Sequence, residues 1–151
     1  MASYSTNQAT ALQPAPGART RRRVETALPA SDYAHLLEHL ENCERDRDRS
    51  WTLLAYVLRN KIVHTEPSQG LVERDVVVGG SQVSYTAGGG QVTSGVLLHQ
   101  ARPGSQQAGI IPVSSLLGAT LIGMRIGQRA PLLCEDGSVK SLVIVDTVPP
   151  T

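Results

Sequence analysis

The sequence predicts an α+β fold: a short N-terminal antiparallel helical hairpin followed by a β-sheet wrapped on one short helix. Three observations carry this. Apolar residues recur at helical spacing between Tyr33 and Ile62, in two stretches separated by a charged turn. From Asp75 onward the pattern changes to short strand-like runs bounded by glycine. Residues Ile110 to Gln128 then read as an apolar strand, a serine-capped short helix that stops at one glycine, and a turn on a second.

Residues 1–28 mix Ala, Ser, Thr, Gln and Pro, and Pro14 and Pro16 block regular structure, so this segment is expected to be disordered. Arg19, Arg21, Arg22 and Arg23 make a short basic cluster in it. A solvated arm is the preferred reading. A weak electrostatic contact with nucleic acid or an acidic protein surface is the second. An organelle transit peptide is the third, and the lack of an amphipathic helical pattern argues against it.

The helical hairpin is expected over residues 29–66. Ser31 can cap its first helix, and Asp32 suits the positive N-terminal end. Tyr33, Leu36, Leu37 and Leu40 form an apolar stripe, which fades at Glu41-Asn42. The segment from Cys43 to Arg49 is almost entirely charged, and Ser50 can cap a second helix. Trp51, Leu54, Ala55, Leu58 and Ile62 repeat the stripe, and Pro67 and Gly70 end the element. Two facing stripes with a polar turn pair as antiparallel helices of about 14 residues, roughly 20 Å per arm.

The sheet domain is expected over residues 72–149. Val76 to Val78 leads to Gly79-Gly80, and Gln82 to Thr86 alternates. Gly88 to Gly90 makes a turn into a strand over Gln91–Gln100, and Pro103 and Gly104 mark a polar loop. Ile110 to Val113 is a further strand; Ser114 or Ser115 caps the helix running to Ile122. Arg129–Cys134 and Val139–Val148 pair across Asp136-Gly137, a dipeptide suited to tight turns. The expected core is Val83, Tyr85, Val96, Leu98, Ile111, Leu117, Leu121, Ile126, Leu132, Leu142 and Ile144.

Composition excludes several function classes. A net charge of +1 gives no global field directed at nucleic acid or membrane. With no Phe and one Trp, a base-stacking platform is not expected. Cys43 and Cys134 stand far apart and form no Cys-x-x-Cys, which fits a reducing cytoplasm better than a disulfide framework or zinc knuckle. No apolar run approaches the roughly 18 residues of a membrane span, and no signal-peptide core is present.

The chemical motifs are weak. His35-Leu36-Leu37-Glu38-His39 matches H-x-x-E-H, an inverted zinc-protease signature. On the helix, however, both histidines fall away from the leucine stripe, so a solvated face is expected, with adventitious metal binding at most. Gly88-Gly89-Gly90 matches no phosphate-binding loop. Ser114 and Ser115 read as caps, because His99 has no acid beside it in sequence to orient it as a base. His64 and His99 read as isolated. The charged turn places Glu41, Glu44, Asp46 and Asp48 at the tip of a projecting element, where carboxylates could hold Mg²⁺. Arg45, Arg47 and Arg49 interleave with them, so a solvated turn with local ion pairs competes with that reading. No metal or other cofactor is implied.

The order of elements resembles the Gre-factor family of bacterial RNA polymerase secondary-channel proteins, and more closely its short members, the regulators of nucleoside diphosphate kinase. The likeness covers Pro29 to Val148. The run Glu73-Arg74-Asp75-Val76-Val77-Val78-Gly79-Gly80-Ser81-Gln82-Val83 resembles the family's entry into its sheet domain. Ser115, Leu121, Ile122, Gly123 and Gly127 fit its Ser-Pro-x-x-x-Ala-Leu-Leu-Gly-x-x-x-Gly-Asp signature; Leu116 replaces the proline, Thr120 the alanine and Gln128 the acid.

The resemblance implies that the sheet is antiparallel and like that of FK506-binding proteins. It implies a monomeric, cytoplasmic, non-enzymatic transcription regulator whose partner is RNA polymerase. Its contacts would be Glu41, Glu44, Asp46 and Asp48 at the hairpin tip, and Ser115, Gly123 and Gly127 on the sheet domain. In the family's cleavage factors the sheet domain docks at the channel rim, while a long hairpin carries two tip acids to the catalytic Mg²⁺. The hairpin here is short and lacks their tip sequence, so binding without cleavage is expected. The alternative is a prolyl isomerase or chaperone-type binding module on the same architecture. Isomerases of that kind line their cavity with aromatic rings, and this sheet domain offers only Tyr85.

Overall fold

The computed structural model describes residues 26–45, 49–70, 72–102 and 108–150. The cluster Arg19, Arg21, Arg22 and Arg23, the tip residues Asp46 and Asp48, and Pro103 and Gly104 lie outside the described residues.

The first described element is strand β1 (Thr26–Pro29), which runs directly into helix α1 (Ala30–Arg45). Helix α2 (Arg49–Val63) follows, and the chain returns as strand β2 (Thr65–Ser68). β1 and β2 pair in parallel, Thr26 opposite Thr65 and Pro29 opposite Ser68. Parallel neighbours require a long crossover, and the crossover here is the whole helix pair. Residues 26–28, within the segment expected to be disordered, are therefore part of a strand, and Leu28 is fully buried.

Asp32 in the first turn and Arg45 in the last turn of α1 oppose the partial charges of the helix ends. Glu41 and Arg45 form an i,i+4 pair at 3.2 Å. The inward positions of α1 are Asp32, Leu36 and Cys43, whereas Leu37 is 46% exposed and carries no seam. α2 sends Leu54, Ala55 and Leu58 into the core. The two helices pack along each other, and Arg59 reaches Glu44 across them at 2.7 Å. At 16 and 15 residues, each is about 23 Å long at the standard rise.

Strands β3 (Gln82–Ala87), β4 (Thr93–Leu98), β5 (Ile110–Pro112), β6 (Arg129–Leu133) and β7 (Val139–Val148) form a sheet in the order β5-β4-β3-β7-β6. Three of its pairings are antiparallel, but β4 and β5 run parallel, Val96 opposite Ile110. The expectation of an all-antiparallel sheet is thus corrected to a mixed one. The reason is the connection over residues 99–109, which is long enough to carry the chain back to the same end before β5 starts. Val76 makes an isolated bridge to Arg125 rather than joining a strand.

Helix α3 (Leu116–Leu121) lies between the sheet and α2. Ser115 caps it, its hydroxyl accepting from the Gly118 amide. The helix is set against the end of β5 so closely that a Cβ on Gly118 would overlap the Pro112 carbonyl oxygen. Val83, Ile111, Leu121, Leu132, Leu142 and Ile144 are buried as expected. Val96 and Leu98 are only half-buried, because Gly95 and Leu97 are the inward residues of β4. Tyr85 and Leu117 are half-buried and Ile126 is exposed.

Candidate functional site

The two surfaces singled out by the sequence are built differently. At the C-terminal end of α1, Glu41 and Glu44 are exposed, and each is held by an arginine, Arg45 and Arg59 respectively. Their charge is therefore locally neutralised, as the interleaved arginines suggest. Asp46 and Asp48, the other two tip acids, lie outside the described residues.

On the sheet domain, Ser115 gives its hydroxyl proton to the Pro112 carbonyl at 2.6 Å and accepts the Gly118 N–H at 3.0 Å. Both capacities serve the helix start. Gly123 follows the last turn of α3 with φ +85°, the left-handed conformation that terminates helices. Its N–H donates to the Val77 carbonyl at 2.8 Å, and it is buried beside Thr26. Gly127 also has a positive φ, +84°, but lies on the surface, where its N–H donates to the Ile144 carbonyl. Between the two glycines the Arg125 N–H donates to Gln128 Oε1 at 2.9 Å. A glutamine at this position keeps the acceptor that an acid would supply. The Arg125 guanidinium reaches Glu73 at 2.9 Å and Asp75 at 3.3 Å, tying this turn to the entry of the sheet domain. The hydrogen bond from Arg125 holds the Glu73 carboxyl below its usual range.

A cavity of about 360 Å³ opens between α2, α3 and β6, with Asn60, Lys61, His64 and Arg129 on its walls. The Lys61 ammonium donates to the Thr120 carbonyl at 2.9 Å, bridging α2 and α3. Tyr56, 59% exposed, is its one phenol ring, so this is no aromatic-lined cavity.

The histidines correct the sequence reading. His39 does not face solvent; its Nε2 meets His99 Nδ1 at 3.1 Å. His99 Nε2 meets Asp32 Oδ1 at 2.7 Å, and both of those side chains are almost wholly buried. His35 stacks on His99 with ring centres 4.5 Å apart. The acid that orients His99 thus comes from α1, 67 residues away in the chain. The available signal was the placement of Asp32, His35 and His39 on one side of α1. No local pattern pointed to His99 as their partner. Among the described residues, no group of three or more His, Cys, Asp or Glu side chains is arranged to hold a metal ion.

No family profile and no curated protein sequence matches the chain. Solved structures do. The chain is similar to a prokaryotic transcription elongation factor GreA/GreB from Nitrosomonas europaea, at 16% identity and a TM-score of 0.58, over 83% of this chain and 100% of that one. The fold is that of a Gre-type factor. Weaker likenesses are to Gfh1 of Thermus aquaticus, at 18% identity and a TM-score of 0.43, and to GreA factor homolog 1 of Thermus thermophilus, at 18% and 0.40. Each covers 83% of this chain and 99% of the other. No described helix is long and apolar enough to cross a membrane.

Proposed function

We propose that this chain binds RNA polymerase near its secondary channel and regulates transcription in the cytoplasm without stimulating transcript cleavage. The observation that carries the binding reading is the likeness to the Nitrosomonas europaea elongation factor, which the chain matches along that protein's full length. In this reading α1 and α2 form an antiparallel hairpin over residues 29–66, and residues 72–149 form an FK506-binding-protein-like docking domain. The subtype is the short regulator of nucleoside diphosphate kinase, acting as a monomer. Arg19, Arg21, Arg22 and Arg23 would add a weak contact to nucleic acid.

Two features favour binding without cleavage. Helices of about 23 Å have a short reach toward a buried catalytic centre. Glu41 and Glu44 are engaged by Arg45 and Arg59, which leaves little net negative charge to draw a metal ion. The surface contacts would centre on the tip acids Glu41, Glu44, Asp46 and Asp48 and on the turn that Ser115, Gly123 and Gly127 shape.

Two measurements test the proposal. The full chain should capture RNA polymerase subunits from a bacterial lysate, and failure to do so removes the binding reading. Added to backtracked elongation complexes, it should leave the RNA 3′ end uncut and slow cleavage by an added cleavage factor. Strong stimulation of cleavage overturns the non-cleaving part alone.

A further inference from the structure

Three of the four histidines in the chain meet between α1 and the residue that follows β4, and nothing in the polymerase reading uses them. We propose that Asp32, His99 and His39 form a proton-operated clamp between α1 and the sheet, closed while the two imidazoles carry at most one excess proton and opened by a second.

The hydrogen bonds dictate this count. An ionised carboxylate only accepts, so His99 Nε2–H donates to Asp32 Oδ1. His99 Nδ1 is then an acceptor and takes the proton of His39 Nε2. The Gly79 N–H donates to the second carboxylate oxygen at 3.4 Å, so Asp32 is held from both sides of the joint. One added proton can be accommodated. It sits on His99 Nδ1, faces Asp32 through the same ring, and requires only that His39 move its own hydrogen to Nδ1. A second proton cannot. Two N–H groups would then point at each other across 3.1 Å, and two cations would face one carboxylate. The His35 ring adds a third group of the same kind 4.5 Å from His99.

Charge around the pair comes mostly from one element. α1 supplies Asp32, His35 and the exposed Glu38, which lies 3.4 Å from His35 Nδ1. The residue that follows β4 is His99, and the loop before β3 supplies the Gly79 amide. Burial, followed by His99 and His35, pushes His39 down to about 4, against the pull of Glu38. The folded chain therefore refuses a proton that the unfolded chain accepts near 6.5. The stabilisation from His39 is complete above about pH 6.5 and is lost as pH falls toward about 4. The joint is closely packed: a Cβ on Gly79 would overlap Asp32 Oδ1 and come within 2.9 Å of the His99 ring.

The test uses the full chain and two readouts. Imidazole nitrogen NMR at about pH 7.5 should find His99 protonated on Nε2 alone. On acidification His39 should stay neutral well below its ordinary range, and when it does take its proton the Gly79 amide should lose its protection and approach its intrinsic exchange rate. In thermal melts the wild-type midpoint should fall by about 5 °C or more between about pH 7.5 and about pH 5. His39→Gln retains a side-chain amide donor for His99 but cannot be charged, so it should remove at least half of that fall. An equal fall in wild type and His39→Gln overturns the clamp. So does a His39 that titrates near 6.5 without regard to His99. Stoichiometric Zn²⁺ uptake at about pH 7.5, moving all three ring resonances, overturns it in favour of metal ligation.

Discussion

The α3 cassette and the joint between α1 and the sheet are held by different kinds of contact. In the cassette, the Ser115–Gly118, Ser115–Pro112 and Thr120–Leu116 hydrogen bonds span three or four residues. In the joint, Asp32 bonds Gly79 and His99 across 47 and 67 residues, and His39 meets His99 across 60. The cap and the first turn of the cassette close within a few residues, although Lys61 and Val77 also hold its far end through Thr120 and Gly123. The joint exists only once the helix pair and the sheet have docked, so its polar groups depend on that docking for their partners. The part with local bonds should resist acid and the part with distant bonds should not.

Substitutions sharpen this contrast. Gly118→Ala should have the largest effect, because the added methyl meets the Pro112 carbonyl, which belongs to backbone rather than to a movable side chain. A loss of about 3 kcal/mol in denaturant unfolding is expected, equal at neutral and mildly acidic pH. An unchanged unfolding midpoint would mean that α3 does not sit so tightly on β5. Gly79→Ala should cost less, about 2 kcal/mol, since Asp32 and His99 are side chains that can yield. Unlike Gly118→Ala, it should also shrink the acid-induced fall in melting midpoint, and equal pH profiles for the two variants would erase the distinction between the regions. Ser115→Ala removes one helix cap and should cost about 1 kcal/mol by the same denaturation measurement. A loss several times larger would show that the cap also braces something beyond its own turn.

The same difference in range decides how much could be read from the residues. Ser115, Gly123 and the β6–β7 hairpin at Asp136-Gly137 were legible, because cap, stop and turn each involve neighbours in the chain. The face of α1 was not. Its inward side carries Asp32 and His39 along with Leu36, so a stripe drawn through leucines alone turns toward Leu37, which is exposed. In β4 the consecutive Val96, Leu97 and Leu98 leave the alternation without a phase, and pairing with β3 and β5 chose Leu97 as the buried one. β1 and β2, Thr-Ala-Leu-Pro and Thr-Glu-Pro-Ser, are too short and too proline-rich to signal strands. They pair because the helices between them bring their ends together. Glu41 and Glu44 lie exposed near the end of α1, and no stripe or turn signal announced that Arg59 of α2 would engage one of them.

The parallel β1–β2 pair closes the helix pair at its root, like a staple across the two legs of a loop. Beyond that staple the two legs are also fixed to the body, α1 through His39 and α2 through Lys61. The orientation of the helix pair is thereby set at two levels, by paired backbone at its root and by side chains farther along.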